Sequence, residues 1–484
     1  MLENFEPQSV FKYFEKIASI PHGSSNTKAI SDYVVSVCKE HGLSYVQDSY
    51  NNVIVYKESA KGYEDKPPVM LQGHLDMVCE KNFETDARFD FETDPLKLSV
   101  MDDYIYAKGT TLGGDDGIGV AYMLSLLTDD TLIAPKLECV FTSDEETGMN
   151  GAHALDVSLL KSKRLINLDH EDEGVILTSC AGGKKVVLSV PVRRIEKSGI
   201  KYNIVICGLL GGHSGTEIDK YRANANLFMG RLLQFLETRV KFDLISISGG
   251  LQDNAIPREC NAEIIVSEDD SQKLEDIFYE FESIIKNEYK SVEKNMMVYC
   301  ENCDFVTEKV LTYKTMQRVI FLLMTLPDGV QRMSPSTKGL VQTSSNVGII
   351  KLRKDKFEVL ISIRSSITSE KEALSTKIKY LIETIGGTFL EEGDYPAWEY
   401  SENSALRDAA ISCFRKVLCY EPRVEGIHAG LETGIFYNKI KNLDIISFGP
   451  NVLDIHTPKE KLSISSAKRV YDVLVELLKV LAEN

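Results

Sequence analysis

The sequence predicts an α/β fold into which a second, α+β domain is inserted. Short apolar strands alternate with helical stretches over residues 1–186, and the same alternation returns after residue 394. This pattern is typical of helices packed on a central, mostly parallel sheet. Between the two stretches, longer strands alternate with amphipathic helices. We therefore expect one domain built from residues 1–186 and 391–484, and an inserted domain of residues 187–390.

The elements of the outer domain are predicted from the spacing of its apolar residues. The first 20 residues mix Glu and Lys into an apolar pattern of helical period, which predicts a first helix. Short apolar runs predict strands over residues 53–56, 69–72, 137–142 and 165–168, and a longer run predicts a buried helix over residues 118–127. After the insertion we expect helices over residues 404–418 and 465–481 and a strand over residues 444–448.

The inserted domain is predicted in the same way. Its expected strands cover residues 202–207, 243–248, 263–266, 347–352 and 357–364. Its expected helices, which are amphipathic, cover residues 223–240, 271–287 and 370–384.

Charge and hydropathy exclude several classes of function. The 484 residues carry 55 Lys and Arg against 72 Asp and Glu, a formal net charge of -17. A negative charge repels phosphate backbones and anionic lipid, so we expect neither nucleic acid nor a membrane surface as a partner. Apolar runs such as residues 320–326 are far shorter than the ~20 residues of a membrane span.

Cysteine usage indicates a reducing compartment. The ten cysteines lack the spacing of a disulfide framework, and the N-terminus lacks the basic start and apolar stretch of a secretory signal. We therefore expect a cytoplasmic protein. Cys300 and Cys303 have the spacing of a redox motif or of half a zinc site, but no second pair lies near them in the sequence, which favours an incidental pair.

Polar residues follow three of the predicted strands. His74 and Asp76 come directly after one strand, Glu145 and Glu146 follow another, and Asp169 follows the third. The carboxyl edge of a parallel sheet is where α/β proteins form sites. A lone His-x-Asp is more often a surface hydrogen-bonding pair, and a lone acidic run is as often a solvated loop. Their coincidence at strand ends indicates a site.

Two further segments complete a ligand set. Asp115 and Asp116 stand among four glycines before the buried helix, where glycine lets the backbone approach a ligand. Adjacent acids repel phosphate and no Gly-Lys-Ser/Thr is present, so a cation site is favoured over a phosphate loop or a plain acidic turn. His456 precedes the last predicted helix. Two histidines with three or four carboxylates suit two divalent cations and a bridging water.

These motifs resemble those of the M20 metallopeptidases. The matching segments are His74-Leu-Asp76, Gly114-Asp115-Asp116-Gly117, Asp144-Glu145-Glu146-Thr-Gly148, Asn167-Leu-Asp169 and Ile455-His456-Thr457-Pro458. Supporting segments are Gly211-Gly-His213-Ser-Gly215, Asn254-Ala-Ile-Pro257 and His428-Ala-Gly430-Leu-Glu432. The likeness runs along nearly the whole chain and is greatest to the aminoacyl-histidine (Xaa-His, or cytosolic non-specific) dipeptidases. Tyr221 departs from the family pattern, which has glycine there.

The resemblance implies a role for each residue of the metal centre. One zinc ion would be held by His74 and Asp169 and the other by Glu146 and His456, with Asp115 bridging both. Asp76 would orient His74. Glu145 would act as the general base toward a metal-bridging water. The same resemblance implies a cis peptide bond between Asp115 and Asp116.

The resemblance also implies that the inserted domain is a lid that closes over the substrate. His213 would donate a hydrogen bond to the oxyanion of the transition state. Asn254 and Arg364 would bind the terminal carboxylate, and Gly430 and Glu432 would line the cleft. The role of His428 stays open.

The resemblance thus predicts a binuclear zinc dipeptidase acting on dipeptides with a free N-terminus, such as Xaa-His. Cobalt and manganese also suit the ligand set. Two alternatives remain: an amidohydrolase acting on N-acyl amino acids, and a catalytically inactive binding protein on the same scaffold. Glu145 argues against the second, because a binding protein needs no uncoordinated glutamate beside metals. The oligomeric state stays open, with a homodimer as one option.

Overall fold

The computed structural model describes residues 2–85 and 87–483. Within these residues the chain forms twelve α-helices. In chain order they are α1 (Gln8–Ala18), α2 (Lys28–Glu40), α3 (Gly114–Thr128), α4 (Asn150–Ala154), α5 (Ala225–Glu237), α6 (Glu268–Ser271), α7 (Leu274–Glu288), α8 (Tyr313–Thr325), α9 (Thr368–Thr384), α10 (Ala405–Leu418), α11 (Glu432–Lys439) and α12 (Ile464–Glu483). In the described part of the chain, no helix combines the length and apolar character needed to cross a membrane.

The same residues form twenty-three strands. In chain order they are β1 (Ser44–Gln47), β2 (Val53–Lys57), β3 (Val69–His74), β4 (Leu98–Met101), β5 (Tyr104–Ala107), β6 (Leu137–Thr142), β7 (Arg164–Asn167), β8 (Val175–Cys180), β9 (Gly182–Pro191), β10 (Arg194–Cys207), β11 (Gly212–His213), β12 (Phe242–Gly249), β13 (Ala255–Ile256), β14 (Cys260–Val266), β15 (Met297–Leu311), β16 (Gly329–Met333), β17 (Val341–Leu352), β18 (Lys356–Ser365), β19 (Thr388–Tyr395), β20 (Arg423–Ile427), β21 (Asp444–Ser447), β22 (Val452–Leu453) and β23 (Lys461–Ser463).

The first of two compact units, unit 1, consists of Met1–Cys180, Trp398–Gly426 and Leu431–Asn484. Its main sheet has the strand order β1-β2-β6-β3-β7-β21-β8-β20. The four central strands β6, β3, β7 and β21 run parallel, and antiparallel pairs flank them. The five-residue connection between β1 and β2 allows only an antiparallel pair.

The residues of unit 1 explain its layers. Every residue of β3 and β6 is buried, as expected for central strands whose two faces are both covered. Helix α3 is buried on nearly all sides and packs against α1, whose apolar face alone is buried. Helices α10 and α12 pack against each other, and the core includes the edge-to-face ring pair of Phe414 and Phe448.

The second unit, unit 2, consists of Ala181–Ala397 and Ile427–Gly430. Its antiparallel sheet has the order β15-β10-β14-β12-β17-β18-β9-β19, and β16 pairs with β17. Buried side chains from α5, α7, α8 and α9 join those of the sheet in a separate hydrophobic core. A short ribbon of β11 and β13 pairs His213 with Ala255.

The predicted α/β fold with an inserted α+β domain is confirmed. The compact units divide at Ala181 and Ala397, whereas the sequence placed the divisions at residues 187 and 390. Strands β9 and β19 account for the difference, because they pair with each other and β9 also pairs with β18. The outer bounds of the prediction, Met1 and Asn484, lie outside the described residues.

Strand β15 bears on the Cys300 and Cys303 pair. Both thiols are free and partly buried, and Cys300 packs against the core of unit 2. The pairing of β15 with β10 is irregular next to Cys303, and the interpretation of the pair as incidental stays a prediction.

Candidate active site

The predicted metal ligands of unit 1 lie where three parallel strands end. The parallel register of β3 and β6 places His74 beside Thr142, the last residue of β6. Glu145 and Glu146 belong to the segment that follows Thr142, on the same side of the sheet edge as His74. Asp169 lies just beyond β7, which pairs with the other edge of β3. His456 arrives from the loop between β22 and β23. Parallel strand order therefore brings together side chains that are far apart in the sequence.

Asp115 stands at the centre of this cluster. Its Oδ1 lies 3.1 Å from His74 Nε2, and its Oδ2 lies 3.1 Å from His456 Nε2. Asp169 Oδ1 lies 3.2 Å from the same nitrogen of His74. Glu146 Oε1 lies 2.9 Å from the same nitrogen of His456. One carboxylate thus connects two imidazole–carboxylate pairs.

The spacing and chemistry of these atoms fit two divalent cations. Ligands arranged tetrahedrally around zinc at 2.0–2.1 Å stand roughly 3.3 Å apart, close to the spacing of 2.9–3.2 Å within each pair. Ligand atoms of His74, Asp115 and Glu146 also lie within 4.8 Å of one another. Imidazole nitrogen with carboxylate oxygen suits zinc, cobalt or manganese. The residues present therefore fit a dinuclear site.

The tautomer of His74 is fixed by its second nitrogen. Nδ1 lies 2.9 Å from the carbonyl oxygen of Asp76. A carbonyl only accepts hydrogen bonds, so Nδ1 carries the proton and the Nε2 lone pair faces Asp115 and Asp169. This is the usual arrangement of a metal-binding histidine.

The Asp76 carboxylate has a second task that the sequence did not indicate. Its Oδ1 is 3.6 Å from His74 Nδ1, longer than a hydrogen bond. The carboxylate instead accepts from the backbone N–H of Glu145 on Oδ1 at 3.0 Å. Its Oδ2 accepts from the backbone N–H of Glu146 at 3.3 Å and from Ser24 Oγ at 2.8 Å. Asp76 therefore holds the Glu145–Glu146 turn as well as the backbone contact to His74.

Asp116 anchors the start of α3 beneath the cluster. The Asp115–Asp116 peptide bond is cis, as predicted. The buried Asp116 carboxylate accepts from the backbone N–H of His74 and of Gly119, each at 3.2 Å. A Cβ atom at Gly73 would come within 2.1 Å of this carboxylate, and one at Gly119 within 2.3 Å. Both glycines therefore provide space for Asp116.

Negative charge dominates the electrostatics of the cluster. Hydrogen bonds to Asp115 and Glu146 raise the pKa of His456 to about 11. Burial lowers the pKa of His74, but Asp169 and Asp115 outweigh it and raise that pKa well above its usual value. Burial likewise opposes ionisation of Asp115, yet hydrogen bonds from His456 and His74 hold its pKa low. The cluster therefore attracts positive charge.

Glu145 lies at the edge of this cluster, and its surroundings favour the protonated form of its carboxyl group. Burial raises its pKa well above the usual value, and the nearby carboxylates of Glu432 and Glu146 raise it further against the opposing effect of His74. A glutamate in such surroundings accepts and holds a proton readily, as a general base requires.

Unit 2 contains four of the other predicted site residues, His213, Asn254, Arg364 and Gly430. The backbone N–H of Thr216 donates to His213 Nδ1 at 3.1 Å, so a neutral His213 carries its proton on Nε2. Burial and the charge of Arg364 lower the pKa of His213, which favours this neutral form. The exposed Asn254 lies next to His213, because its carbonyl oxygen accepts from Ser214 N at 2.9 Å and Ala255 pairs with His213.

Arg364 is buried, and no carboxylate of the described residues forms an ion pair with it. Its side chain donates from Nη1 to Tyr395 Oη at 2.9 Å, and its Nε has no hydrogen-bond partner among the described residues. Cross-strand pairing places it between Ser344 and Gly183. A buried guanidinium lacking a counter-ion is a site for an anion such as a carboxylate.

His428 and Tyr395 flank this guanidinium. His428 Nε2 lies 2.7 Å from Ser344 Oγ, and its Nδ1 is buried with no partner in the described chain. Burial and the charges of Arg364 and His213 lower the pKa of His428 to about 3, so it is neutral. Sequence reasoning left His428 open and missed Tyr395, which carries no motif signal.

Two predicted cleft residues serve as structural supports. A Cβ atom at Gly430 would come within 2.7 Å of the Tyr395 ring, so Gly430 provides space for that ring. Glu432 is fully buried in unit 1, where its Oε2 accepts from Gln72 Nε2 and Thr142 Oγ1, each at 2.6 Å. These bonds hold the Glu432 side chain within unit 1, and its role as a cleft-lining residue stays a prediction.

Known proteins are similar to this chain along nearly its whole length. The profile of peptidase family M20/M25/M40 matches residues 70–480. The cytosol non-specific dipeptidase of Escherichia coli (strain K12) is 35% identical over 481 residues, which cover 99% of this chain and 98% of that protein.

Solved structures agree with the sequence comparison. The aminoacylhistidine dipeptidase from Vibrio alginolyticus superposes with a TM-score of 0.92 at 34% identity, covering 99% of this chain and 98% of that one. The aminopeptidase PepT from Bacillus cereus ATCC 10987, with a TM-score of 0.57 at 14% identity over 99% of both chains, shares the fold. The chain described here therefore belongs to peptidase family M20/M25/M40.

Proposed function

We propose that this protein is a cytoplasmic dinuclear metallo-dipeptidase that hydrolyses dipeptides with a free N-terminus, Xaa-His dipeptides among them. One observation carries the proposal. The Asp115 carboxylate directs one oxygen to His74 and the other to His456, each of which faces a further carboxylate. The names of the two similar dipeptidases describe the same kind of reaction. We further propose two Zn²⁺ ions per chain, with Co²⁺ or Mn²⁺ as alternatives.

The site residues of unit 1 would have separate roles in the reaction. Cations held by His74, Asp115, Glu146, Asp169 and His456 would polarise the scissile carbonyl and lower the pKa of a nearby water. Glu145 would take a proton from that water on its carboxylate and deliver it to the leaving amine. Asp76 would keep Glu145 in place, since it accepts the backbone N–H of that residue at 3.0 Å.

The residues of unit 2 would bind the substrate and stabilise charge. Arg364 would hold the terminal carboxylate with its guanidinium, supported by the amide of Asn254. His213 would donate its Nε2 proton to the oxyanion that develops in the transition state. The tautomer set by Thr216 supports this role, because it leaves the donor on Nε2.

A dipeptide panel assayed together with metal analysis of the same sample tests the proposal. We expect hydrolysis of free dipeptides, about two metal ions per chain, and loss of turnover when the metals are removed by a chelator. An N-acetylated copy of the best dipeptide is the matched control. Faster cleavage of the acetylated compound would favour an N-acyl amino acid hydrolase, and full metal content without turnover on any dipeptide would favour a binding protein.

Substitution of His213 tests the contribution of unit 2. His213→Ala is expected to lower kcat by about 10²- to 10³-fold, the scale of one lost oxyanion donor, with metal content unchanged. Thr216→Ala, which keeps the backbone donor to His213, is the control and should leave kcat within a few-fold. Hydrolysis at the parent rate by His213→Ala would assign oxyanion stabilisation to the metals alone.

A further inference from the structure

A buried carboxylate outside the proposed ligand set holds the segment that contains Asp115. Glu460 is 2% exposed. Its Oε2 accepts from the backbone N–H of Leu112 at 2.7 Å and of Gly113 at 3.1 Å. Its Oε1 accepts from Gly114 at 2.8 Å and from Asp115 at 3.3 Å. Four consecutive amides thus converge on one side chain.

These amides need a partner that their own segment does not supply. Gly113 precedes α3 in a left-handed conformation with φ of 69° and no side chain to cap the helix, and the backbone of Asp115 and Asp116 within its first turn is not helical. The first amides of a helix lack partners within the helix. Glu460, 345 residues away from Asp115 in the sequence, satisfies them.

Glycine at position 114 permits the close approach of this carboxylate. A Cβ atom there would stand 3.2 Å from Glu460 Oε1 and 3.1 Å from Val452 Cγ1. Any larger residue would press on the carboxylate that holds the segment.

The same side chain is tied to the second predicted histidine ligand. Glu460 follows His456 by four residues, in the loop between β22 and β23. The backbone N–H of Glu460 donates to the carbonyl oxygen of Thr457 at 3.0 Å, which closes a tight turn after His456. The Asp115 and His456 side chains face each other at 3.1 Å. Glu460 therefore connects the two segments whose side chains must meet at one metal position.

We propose that Glu460 is a positioning residue that sets the distance between the bridging Asp115 and His456 and thereby the affinity of the metal held with Glu146. This inference rests on the metal centre proposed above, but adds a residue that coordinates nothing. Partners behind metal ligands commonly change metal affinity or activity by 10- to 100-fold when they are replaced.

The variant Glu460→Gln tests the proposal. A carboxamide has one acceptor oxygen and an NH₂ group that cannot accept, so it leaves part of the four-amide cluster unsatisfied. Zinc affinity is measured by chelator competition on the full-length protein, and hydrogen exchange is followed at the amides of residues 112–115. We expect the weaker-binding zinc to dissociate about 10- to 100-fold more readily and these amides to exchange faster.

Glu138→Gln is the matched control. Glu138 is 1% exposed and accepts from the backbone N–H of Lys161 and of Ser162, each at 3.0 Å, near the start of β6. That point lies about 13 Å along the strand from the end that bears Glu145. Glu138→Gln should lower thermal stability while zinc affinity stays within two-fold of the parent. Equal zinc affinities in Glu460→Gln and Glu138→Gln would overturn the proposal.

A second variant and a kinetic measurement also test the role of Glu460. If Glu460→Gln does not fold, Glu460→Asp replaces it, because aspartate retains the charge on a shorter side chain. Glu460→Asp is expected to weaken zinc binding by at least about three-fold, and a zinc affinity equal to that of the parent would overturn the proposal. In variants that turn over dipeptide, kcat at limiting zinc should fall while KM stays within two-fold. A parent enzyme that cleaves no dipeptide would refute the proposed function but leave the affinity comparison intact.

Discussion

At the scale of single residues, two adjacent glutamates meet different surroundings. Glu146 lies 2.9 Å from His456 Nε2, whereas Glu145 is buried beside other carboxylates that raise its pKa. We predict that Glu145→Gln keeps about two metal ions per chain and loses nearly all turnover, because it removes the proton acceptor and no ligand. Metal analysis and kcat on the same preparation check this.

Glu146→Gln is the matched control for that experiment. It removes charge from the pair with His456 and should weaken one metal position first, with turnover recovering as metal is added. Loss of a metal ion from Glu145→Gln would make Glu145 a ligand and refute its assignment as the base.

Asp328 in unit 2 gives a prediction for pH dependence. Its buried carboxylate accepts from Val347 N at 2.7 Å and from Asn224 Nδ2 at 3.0 Å, and burial raises its pKa to about 6. The folded state binds the proton more tightly than the unfolded state, whose Asp pKa is about 3.9. Its contribution to stability is therefore present below pH ~4 and is lost as the pH rises to about 6.

The variant Asp328→Asn should remove this dependence. The stability of the variant minus that of the parent is expected to rise between about pH 4 and 6, by at most ~1.4 kcal/mol per pH unit, and then stay constant. Denaturant unfolding across this range measures it. A flat difference for Asp328→Asn would show that the carboxylate ionises as in the unfolded chain.

Some residue-level features could be predicted from the sequence and others could not. The grouping of His74, Glu146 and Asp169 at one sheet edge was predictable, since each of them lies at or just beyond the end of an apolar strand. The burial of Glu432 was not, because it depends on Gln72 and Thr142, which lie 360 and 290 residues away. A short motif records residue type but not which distant side chains will cover it.

At the scale of elements, a glycine near the start of α3 is expected to stabilise the protein more than alanine would, against the usual trend in helices. Alanine in place of a helical glycine normally stabilises a helix by roughly 0.5–1 kcal/mol. At Gly119 the new Cβ would lie within 2.3 Å of the Asp116 carboxylate, which Gly73 confines from the other side. We predict that Gly119→Ala destabilises the protein by about 1–3 kcal/mol, the usual cost of overpacking. Thermal or denaturant unfolding checks the sign.

Gly117→Ala in the same helix is the control. A Cβ atom at Gly117 would stand 3.5 Å from Phe14 and 3.6 Å from Ile17, which are ordinary contacts. We expect no loss of stability there. If both variants behaved alike, the space around Asp116 would not be what requires glycine at position 119.

Sequence reasoning placed some elements closely and missed others. Strand β6 was predicted at its observed bounds, because a continuous buried apolar run has a clear signal. Helix α2 was missed, since its run of Val34, Val35 and Val37 suits a strand as well as a helix. Strand β15 was missed because most of its residues are exposed and polar residues interrupt its apolar pattern, and its pairing with β10 is set by the partner.

At the scale of the whole molecule, two separate cores stabilise the two units. All five proposed metal ligands belong to unit 1. A ligand that binds only the folded state stabilises it by about 2.7 kcal/mol at 100 times its Kd. We predict that zinc slows hydrogen exchange in β3, β6, β7 and the start of α3, and leaves β10 and β14 of unit 2 nearly unchanged.

Hydrogen exchange with and without zinc measures this difference directly. Magnesium at the same concentration is a suitable control, because it prefers octahedral oxygen ligands and each proposed metal position includes an imidazole nitrogen. Equal protection of both units by zinc would mean that they unfold as one cooperative body.

The division of unit 1 by the inserted unit also orders events during translation. A ribosome completes residues 181–397 before it reaches His456 and Glu460. Domains of a nascent chain fold as they emerge, so unit 2 has the chance to fold while unit 1 still lacks one histidine ligand and the carboxylate that holds Asp115. Unfinished chains would therefore carry an incomplete metal centre, and the ability to cleave peptides would be acquired only near the end of synthesis.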